Sequence, residues 1–235
     1  MTPLYFATPF RTKSNPHLIG FNEIDQKSRI FTPMRGTVAE LPVDQARNVL
    51  VEDFLQKTQG IDDAWLFFID DDVLLPTDTL DLWLEAVKAN PASPVFFGEY
   101  SLKKRALESA HVYNDTAVVT MATGLCLIHK SVFLTLREQK VTAFGLPKYD
   151  GRWFICSQDK PGTGEDTYFT ATLGKLGITP VKIPDLEGVH VDFSRLSAHG
   201  SPDIVANGKI RKDKAWIYAI DPTTSPIYND LVKND

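Results

Sequence analysis

Three consecutive aspartates, Asp70, Asp71 and Asp72, are the residues of this chain that most directly indicate chemistry. They follow the apolar run 64–69, which predicts a buried strand. Adjacent carboxylates repel one another and are costly near a core unless a divalent cation binds among them. Because side chains alternate along a strand, Asp70 and Asp72 are expected on the same side, one reaching a metal and the other a nucleotide or a metal-bound water. The alternative is a solvated turn with helix-capping acids.

A second acidic pair, Glu165 and Asp166, follows two glycines, Gly162 and Gly164, at a predicted helix start. Glycines allow the backbone to bend closely around a ligand. A carboxylate within hydrogen-bond reach of an acceptor hydroxyl can act as a general base. The alternative is structural, because acids in a first turn also interact favourably with the helix dipole.

A histidine, His190, lies in the predicted strand Val189-His190-Val191-Asp192. Such a histidine is usually a core or edge residue. Together with the two acidic groups, however, it predicts a mixed carboxylate–imidazole site suited to Mn²⁺, with Mg²⁺ also possible.

Two basic residues are candidates for contacting a ligand. Arg47, on a predicted helix, could bind a phosphate bidentately, or form a surface ion pair with Asp44 or Glu52. Arg11 belongs to the segment Thr8-Pro9-Phe10-Arg11, which closes the first predicted strand. Ligands of α/β proteins bind at such strand ends, although the Thr-Pro pair could equally be a simple strand stop.

The composition of the 235 residues indicates a globular protein, with 43% hydrophobic residues and a net charge of −5. This charge gives no basic footprint for nucleic acid. Cys126 and Cys156 form no metal or disulfide pattern, so each is expected to be a small buried side chain in a reducing, cytoplasmic setting. We expect no signal peptide and no transmembrane segment.

Strands that alternate with helices predict an α/β sandwich with a mixed, mostly parallel sheet. We expect one domain over residues 1–193 and a C-terminal extension, 194–235, packed on it. Residues 144–164 are expected to form a loop over a site, or alternatively a plain connector. Strands are predicted at 4–7, 29–31, 64–69, 95–97, 117–121, 125–128, 178–183 and 188–193, and helices at 42–57, 78–89, 131–139 and 165–174.

The spaced combination of these motifs resembles the GT-A glycosyltransferases, particularly those similar to family 2. The elements shared are a first strand ending in Thr8-Pro9, an Ala-Arg-Asn helix at 46–48, the Asp-Asp-Asp strand end, Ala122-Thr123-Gly124, Glu165-Asp166 and His190. The resemblance covers roughly residues 4–192. The sequence departs from the family pattern between residues 10 and 30 and after residue 192.

This resemblance implies a metal-dependent transfer of a sugar from a UDP- or GDP-linked donor to an acceptor hydroxyl of a glycan or another molecule. By this resemblance, Asp70 and Asp71 would lie near the nucleotide and the metal, and Asp72 and His190 would bind a Mn²⁺ or Mg²⁺ ion. The catalytic base of inverting members corresponds to Asp166, with Glu165 beside it contacting sugar or acceptor. The nucleoside pocket and the close approach of the sugar are assigned to Thr8, Pro9, Arg11 and Gly124. The shortness of the chain suits a compact viral or phage enzyme in a host cytoplasm.

Three other functions share parts of the pattern. A nucleotidyltransferase would usually show a glycine-rich, basic signature near its N-terminus, which this sequence lacks. A metal-dependent phosphoesterase or nuclease would use the same clustered acids on a different substrate. A non-catalytic carbohydrate-binding module would bind glycan without metal or turnover.

Overall fold

The structure is a computed structural model, and it describes most of the chain. The described residues are 2–10, 31–39, 41–70, 73–76, 78–100, 110–113, 116–119, 121, 123–144, 151–156, 164–190, 192–196, 202–203 and 216–217.

The described residues form four helices and twelve strands. The helices are α1 (Val43–Lys57), α2 (Thr79–Ala89), α3 (Lys130–Gln139) and α4 (Glu165–Lys175). The strands are β1 (Thr2–Phe10), β2 (Phe31–Ala39), β3 (Trp65–Ile69), β4 (Val73–Pro76), β5 (Val95–Tyr100), β6 (Ala110–Tyr113), β7 (Thr116–Val119), β8 (Leu125–His129), β9 (Val181–His190), β10 (Asp192–Leu196), β11 (Pro202–Asp203) and β12 (Trp216–Ile217).

Eight of the described strands form one mixed sheet in the order β12-β4-β9-β5-β8-β3-β1-β2. The pairs β1–β2, β1–β3 and β5–β9 are parallel, whereas β8 and β4 are antiparallel to both of their neighbours. Six of the eight strands therefore run in one direction, which confirms the predicted mixed, mostly parallel α/β sandwich. The short β12, from the predicted C-terminal extension, pairs with β4 at the edge of this sheet. The proposed domain boundary at residue 193 stays a prediction.

Helices cover both faces of the sheet. Strand β3 shows why, because Leu66 and Phe68 join one hydrophobic cluster while Phe67 and Ile69 join the other. Side chains of a strand alternate between faces, so a strand that is apolar at every position needs cover on both. Helices α1, α3 and α4 cover the first face, and α2 covers the second, inserting Trp83. None of the described helices is both long and apolar enough to cross a membrane.

Two of the predicted strand ends are wrong, and both were predicted from a proline that was expected to stop the strand. Strand β1 continues through Pro9 to Phe10, so the predicted stop at Thr8-Pro9 is wrong. Its pairing with β3 ends at Ala7, and the missing N–H of Pro9 therefore falls where β1 has only one neighbour. Residues 29 and 30 of the predicted strand 29–31 lie outside the described residues, but its predicted end at Phe31 is wrong, since β2 continues from Phe31 through Pro33 to Ala39. Strand β2 lies at the edge of the sheet, where proline is tolerated.

A bulge accounts for another difference. Two strands were predicted at 178–183 and 188–193, but β9 is one strand interrupted by an irregularity. Phe97 pairs with Lys182, whereas Glu99 pairs with Glu187, and Asp185 between them has a φ of 62°. Extra residues on one strand create such a bulge without ending the sheet.

Helix α1 was predicted in the correct place but with part of its inner face wrong. Ala46, Leu50 and Phe54 are buried as expected. Val43 and Val49 are 36% and 46% exposed, so the buried stripe is narrower than the apolar pattern indicated.

The carbonyl groups just beyond the end of α1 are satisfied by a buried lysine. The Lys130 ammonium donates to the carbonyl oxygens of Thr58 and Ile61, at 2.6 and 2.8 Å.

We predict that Gly98→Ala destabilises the protein by about 1–3 kcal/mol, the typical cost of overpacking. A Cβ at position 98 would lie 2.7 Å from a methyl carbon of Leu125 and 2.8 Å from the carbonyl oxygen of Leu186. Urea unfolding followed by circular dichroism measures the change. Gly174→Ala is the matched control, because nothing lies within 4 Å of its Cβ position in α4, and this change should stabilise the helix by about 0.5–1 kcal/mol. Equal effects of the two substitutions would contradict the close approach of β5 and β9.

Candidate active site at the carboxyl end of β3

A buried arginine, Arg47 of α1, joins the parts of the candidate site. Its side chain is 1% exposed, and Nη2 donates to Asp70 Oδ1 at 2.8 Å. Nη1 donates to the carbonyl oxygen of Thr123 at 3.3 Å, and Nε lies 3.6 Å from Glu165 Oε1. One guanidinium therefore connects α1 with the end of β3, the turn before β8 and the first turn of α4. The predicted alternative of a surface ion pair with Asp44 or Glu52 is wrong, because Arg47 is buried among these groups.

The strand pairing explains why these segments meet. Strands β3 and β8 are antiparallel, so the turn that begins β8 lies at the carboxyl end of β3. There the N–H of Asp70 donates to the carbonyl oxygen of Gly124 at 3.0 Å. Carboxyl ends of strands are where open α/β sheets bind ligands.

The second acidic pair lies where a helix begins. Gly164 is the N-cap of α4, and Glu165 and Asp166 form its first turn. Asp166 Oδ1 accepts a hydrogen bond from the hydroxyl of Thr123. This contact places Asp166 beside the groups that surround Arg47.

The environment of Asp166 favours its protonated form. Burial raises the pKa of Asp166 well above its usual range, and the negative charges of Glu165 and Asp70 raise it further. The Arg47 charge and a hydrogen bond from the Thr123 backbone act in the opposite direction but are smaller in effect than burial. The free N–H groups at the start of α4 also favour a carboxylate, and burial outweighs this local preference.

Asn48, next to Arg47, holds the segment 151–156 against α1. Its Nδ2 donates to the carbonyl oxygens of Asp44 and Phe154, both at 2.7 Å. Its Oδ1 accepts from the backbone N–H groups of Trp153 and Phe154, at 2.8 and 3.1 Å. A single side-chain amide with all of these bonds satisfied fixes the position of the segment. Residues 151–156 contain no described helix or strand, and much of the predicted loop 144–164 lies outside the described residues.

Cys156 is at the exposed end of this segment. Its N–H donates to Asp44 Oδ2 at 3.2 Å, and its Sγ donates to Glu165 Oε2 at 3.4 Å. Although the residue as a whole is exposed, partial burial of the thiol raises the pKa of Cys156 to about 12, helped by the charges of Glu165 and Asp44. Cys156 was predicted to be buried and is exposed, whereas the prediction for Cys126 is confirmed.

The remaining predicted residues are divided between described and undescribed parts of the chain. Arg11, Asp71 and Asp72 lie outside the described residues. The backbone of His190 pairs with that of Val73, the residue that follows Asp72 in the sequence. Thr8 and Pro9 are buried within β1. Within the described residues, no group of three or more His, Cys, Asp or Glu side chains is arranged to hold a metal.

Three contributors to the site were not assigned a role from the sequence. Thr123 was part of a quoted motif, but its hydrogen bond to Asp166 depends on the meeting of β8 and α4. Asn48 was noted only as the neighbour of Arg47, and Cys156 only as a cysteine. The sequence signal that could have indicated a role for Asn48 is a second polar residue next to Arg47 on a helix whose inward face is otherwise apolar.

We predict that Asp166→Asn makes the protein more stable than the wild type at neutral pH, although it alters the site. The folded pKa is raised, so the contribution of Asp166 to stability is complete below the unfolded value of about 3.9 and is lost as the pH rises through the folded value. Asparagine keeps an acceptor for Thr123 and never ionises. Urea unfolding at pH values from 4 to 8 should show a stability advantage for the variant that grows with pH.

The control for this measurement is Asp62→Asn, a substitution at an exposed aspartate that lies before β3. This variant removes a carboxyl group in the same way but outside the site. An Asp166→Asn variant that loses stability relative to the wild type as pH rises would contradict the environment described for this carboxyl.

Comparisons with known proteins give distant structural similarity but no match in sequence. No known family matches the sequence, and no curated protein sequence matches it. Among solved structures, this chain is similar to the "crystal structure of a glycosyltransferase involved in the glycosylation of the major capsid of PBCV-1". The two are 9% identical with a TM-score of 0.38, over 77% of this chain and 81% of the other. A similarity this distant does not extend the activity of that protein to this chain.

Proposed function

We propose that this protein is a metal-dependent glycosyltransferase that moves a sugar from a UDP- or GDP-linked donor to an acceptor hydroxyl with inversion. The observation that carries the proposal is the meeting of Asp70, Arg47, Glu165 and Asp166 at the carboxyl end of β3. These residues come from three separate parts of the sequence. The resemblance to GT-A glycosyltransferases assigns Asp70 to the nucleotide or metal, Glu165 to the sugar or acceptor and Asp166 to the base.

Asp166 is the proposed general base. A raised pKa makes its carboxylate a stronger base than an ordinary aspartate, and a base is most effective when its pKa lies near the working pH. The Thr123 hydroxyl holds one carboxyl oxygen and so limits the orientations of the group. Glu165, with a side chain 14% exposed, is more accessible than Arg47 and is the residue we propose to contact the sugar or the acceptor.

The donor is proposed to bind beside Asp70. The guanidinium of Arg47 offsets part of the negative charge of Asp70 and Glu165, which lowers the repulsion that an anionic diphosphate would meet there. Gly124, in the turn next to Asp70, has no side chain to obstruct a ligand. Thr8, Pro9, Arg11 and Asp71 are the positions proposed for the nucleoside and its phosphates.

Asp72 and His190, with Asp70, are the residues proposed to hold a divalent cation. The donor set suits Mn²⁺ or Mg²⁺ because it consists of carboxylates and an imidazole. The pairing of the His190 backbone with Val73, the residue after Asp72 in the sequence, supports this proposal. When bound, such an ion would neutralise negative charge on the leaving diphosphate.

The proposed reaction is a single displacement. The acceptor hydroxyl gives its proton to the Asp166 carboxylate while its oxygen forms a bond to the anomeric carbon. The bond from that carbon to the diphosphate oxygen breaks with its electron pair, and the nucleoside diphosphate leaves from the opposite face. Attack from the face opposite the leaving group inverts the anomeric configuration.

The decisive measurement is a panel of UDP- and GDP-sugars incubated with the protein and Mn²⁺. Transferases commonly pass some donor sugar to water, so release of nucleoside diphosphate from one donor is expected even without the natural acceptor. Asp166→Asn should lower this rate about 10²- to 10⁴-fold, the usual contribution of a general base. The affinity for the donor should change little. Weaker donor binding with a normal rate would contradict the role of Asp166.

The metal assignment has a separate test. Asp72→Asn should remove the Mn²⁺-dependent part of donor binding measured by calorimetry, because it removes a carboxylate charge from the proposed metal site. Asp62→Asn, at an exposed position outside the site, should bind the donor as the wild type does. Equal donor binding by Asp72→Asn with and without Mn²⁺ at wild-type affinity would contradict the assignment.

The same panel separates the other functions. A nucleotidyltransferase would form a sugar nucleotide from a sugar phosphate and a nucleoside triphosphate. A phosphoesterase would release inorganic phosphate or a nucleotide from substrates that carry no sugar. A carbohydrate-binding module would turn over none of the donors and would bind glycan without metal.

A further inference from the structure

The carboxylate of Glu165 has contacts from two different elements. Arg47 Nε, from α1, lies 3.6 Å from Glu165 Oε1. Cys156 Sγ, from the segment 151–156, donates to Glu165 Oε2 at 3.4 Å. Each carboxylate oxygen therefore has its own contact, and the group is restrained more than either contact alone would allow.

The segment that carries Cys156 is itself fixed to α1. Asn48 accepts from the backbone N–H groups of Trp153 and Phe154 and donates to the carbonyl oxygen of Phe154. Further along the segment, Asp44 Oδ2 accepts from the N–H of Cys156 at 3.2 Å. Four hydrogen bonds from two side chains of one helix therefore set the position of the Cys156 thiol.

The segment also packs against α4, the helix that begins at Glu165. The ring of Phe154 stacks on that of Phe169 in α4, with the ring centroids 4.5 Å apart. Trp153 is buried, and its Nε1 donates to the carbonyl oxygen of Phe133 at 3.1 Å. Buried aromatic side chains with their polar atoms bonded are firm anchors, so the thiol and Glu165 are held in one framework.

Consecutive residues of α1 thus act on one carboxylate. Arg47 contacts Glu165 directly, whereas Asn48 acts on it through the segment and the Cys156 thiol. Neighbouring residues of a helix point in different directions, so these two routes reach the carboxylate from different sides. A thiol is a weak donor, and partial burial keeps it protonated at neutral pH by raising the pKa of Cys156 to about 12.

The position of Glu165 favours a contact with the donor sugar over one with the acceptor. The guanidinium that lies beside Glu165 also donates to Asp70 Oδ1 at 2.8 Å, and the donor is proposed to bind beside Asp70. Both carboxylates lie within the reach of one guanidinium, which puts Glu165 on the donor side. An ionised carboxylate has about four acceptor positions, so its two contacts leave positions for a sugar hydroxyl.

We propose that the segment 151–156, fixed by Asn48, orients Glu165 through the Cys156 thiol to accept a hydrogen bond from a hydroxyl group of the donor sugar. This inference rests on the proposed glycosyltransferase function. A carboxylate that is already oriented loses less conformational freedom when the sugar binds, so the sugar adds more to the affinity. Asn48 and Cys156 are therefore positioning residues for the sugar and not for the nucleoside diphosphate.

The experiment measures two dissociation constants for each variant by calorimetry with Mn²⁺. One ligand is the UDP- or GDP-sugar that the wild type binds most tightly, and the other is UDP or GDP alone. Asn48→Ala releases the segment, and Cys156→Ala removes only the thiol. Each should weaken binding of the sugar nucleotide about three- to tenfold, the usual effect of one hydrogen bond, and leave that of the nucleoside diphosphate unchanged. A merely structural role would weaken both ligands alike.

Three further variants sharpen the comparison. Cys156→Ser keeps a donor at position 156 and should restore the affinity for the sugar nucleotide. The double variant Asn48→Ala/Cys156→Ala should bind no more weakly than Asn48→Ala, because both changes act through the same contact. Ser131→Ala is the control, since it removes an exposed hydroxyl at the start of α3 and should bind both ligands as the wild type does.

The outcomes separate this inference from the function on which it rests. If no UDP- or GDP-sugar binds, the proposed function and the inference fail together. If a sugar nucleotide binds the wild type, the inference alone is overturned when either alanine variant keeps full affinity or weakens both ligands equally, or when Cys156→Ser does not restore binding. If Asn48→Ala does not fold, the alanine and serine variants of the exposed Cys156 still decide the question.

Discussion

The buried ion pairs of Arg47 organise this end of the molecule. A guanidinium that is 1% exposed is tolerable only with compensating negative groups, and Asp70 and Glu165 supply them. Breaking a buried pair by removing one partner typically costs about 3–5 kcal/mol, because the other charge is left uncompensated. Helix α1, the end of β3 and the start of α4 are thus held in one arrangement by a single side chain.

The same arrangement gives neighbouring carboxyl groups different properties. Asp70 and Glu165 lie against the cation, whereas Asp166 accepts a hydrogen bond from Thr123 and has a raised pKa, chiefly because of burial. Groups of one chemical type can take different roles when their environments separate their pKa values. A carboxyl that is costly to ionise weakens the folded state at neutral pH, as is common at functional sites.

The main elements of the fold could be predicted from local patterns. The apolar run before the acidic triplet predicted β3, and helical periodicity placed α1 to within one residue at its start. The errors have one origin, since Pro9, Pro33 and the turn near Asp185 normally end strands. Here a missing neighbour, an edge position and a bulge respectively accommodate them, and only the order of the strands in the sheet decides such conditions.

Residue types and local spacing alone identified the acids, Arg47 and His190 as candidates for chemistry. Tertiary structure decided the contacts of Arg47, the amide bonds of Asn48 to the 151–156 segment, and the hydrogen bond between Thr123 and Asp166. The physical reason is that a side chain's local neighbours are set by helix or strand periodicity, whereas these partners meet only after β3 and β8 pair and α1 and α4 pack on one face. Burial, which raises the pKa of Asp166, likewise exists only in the assembled fold.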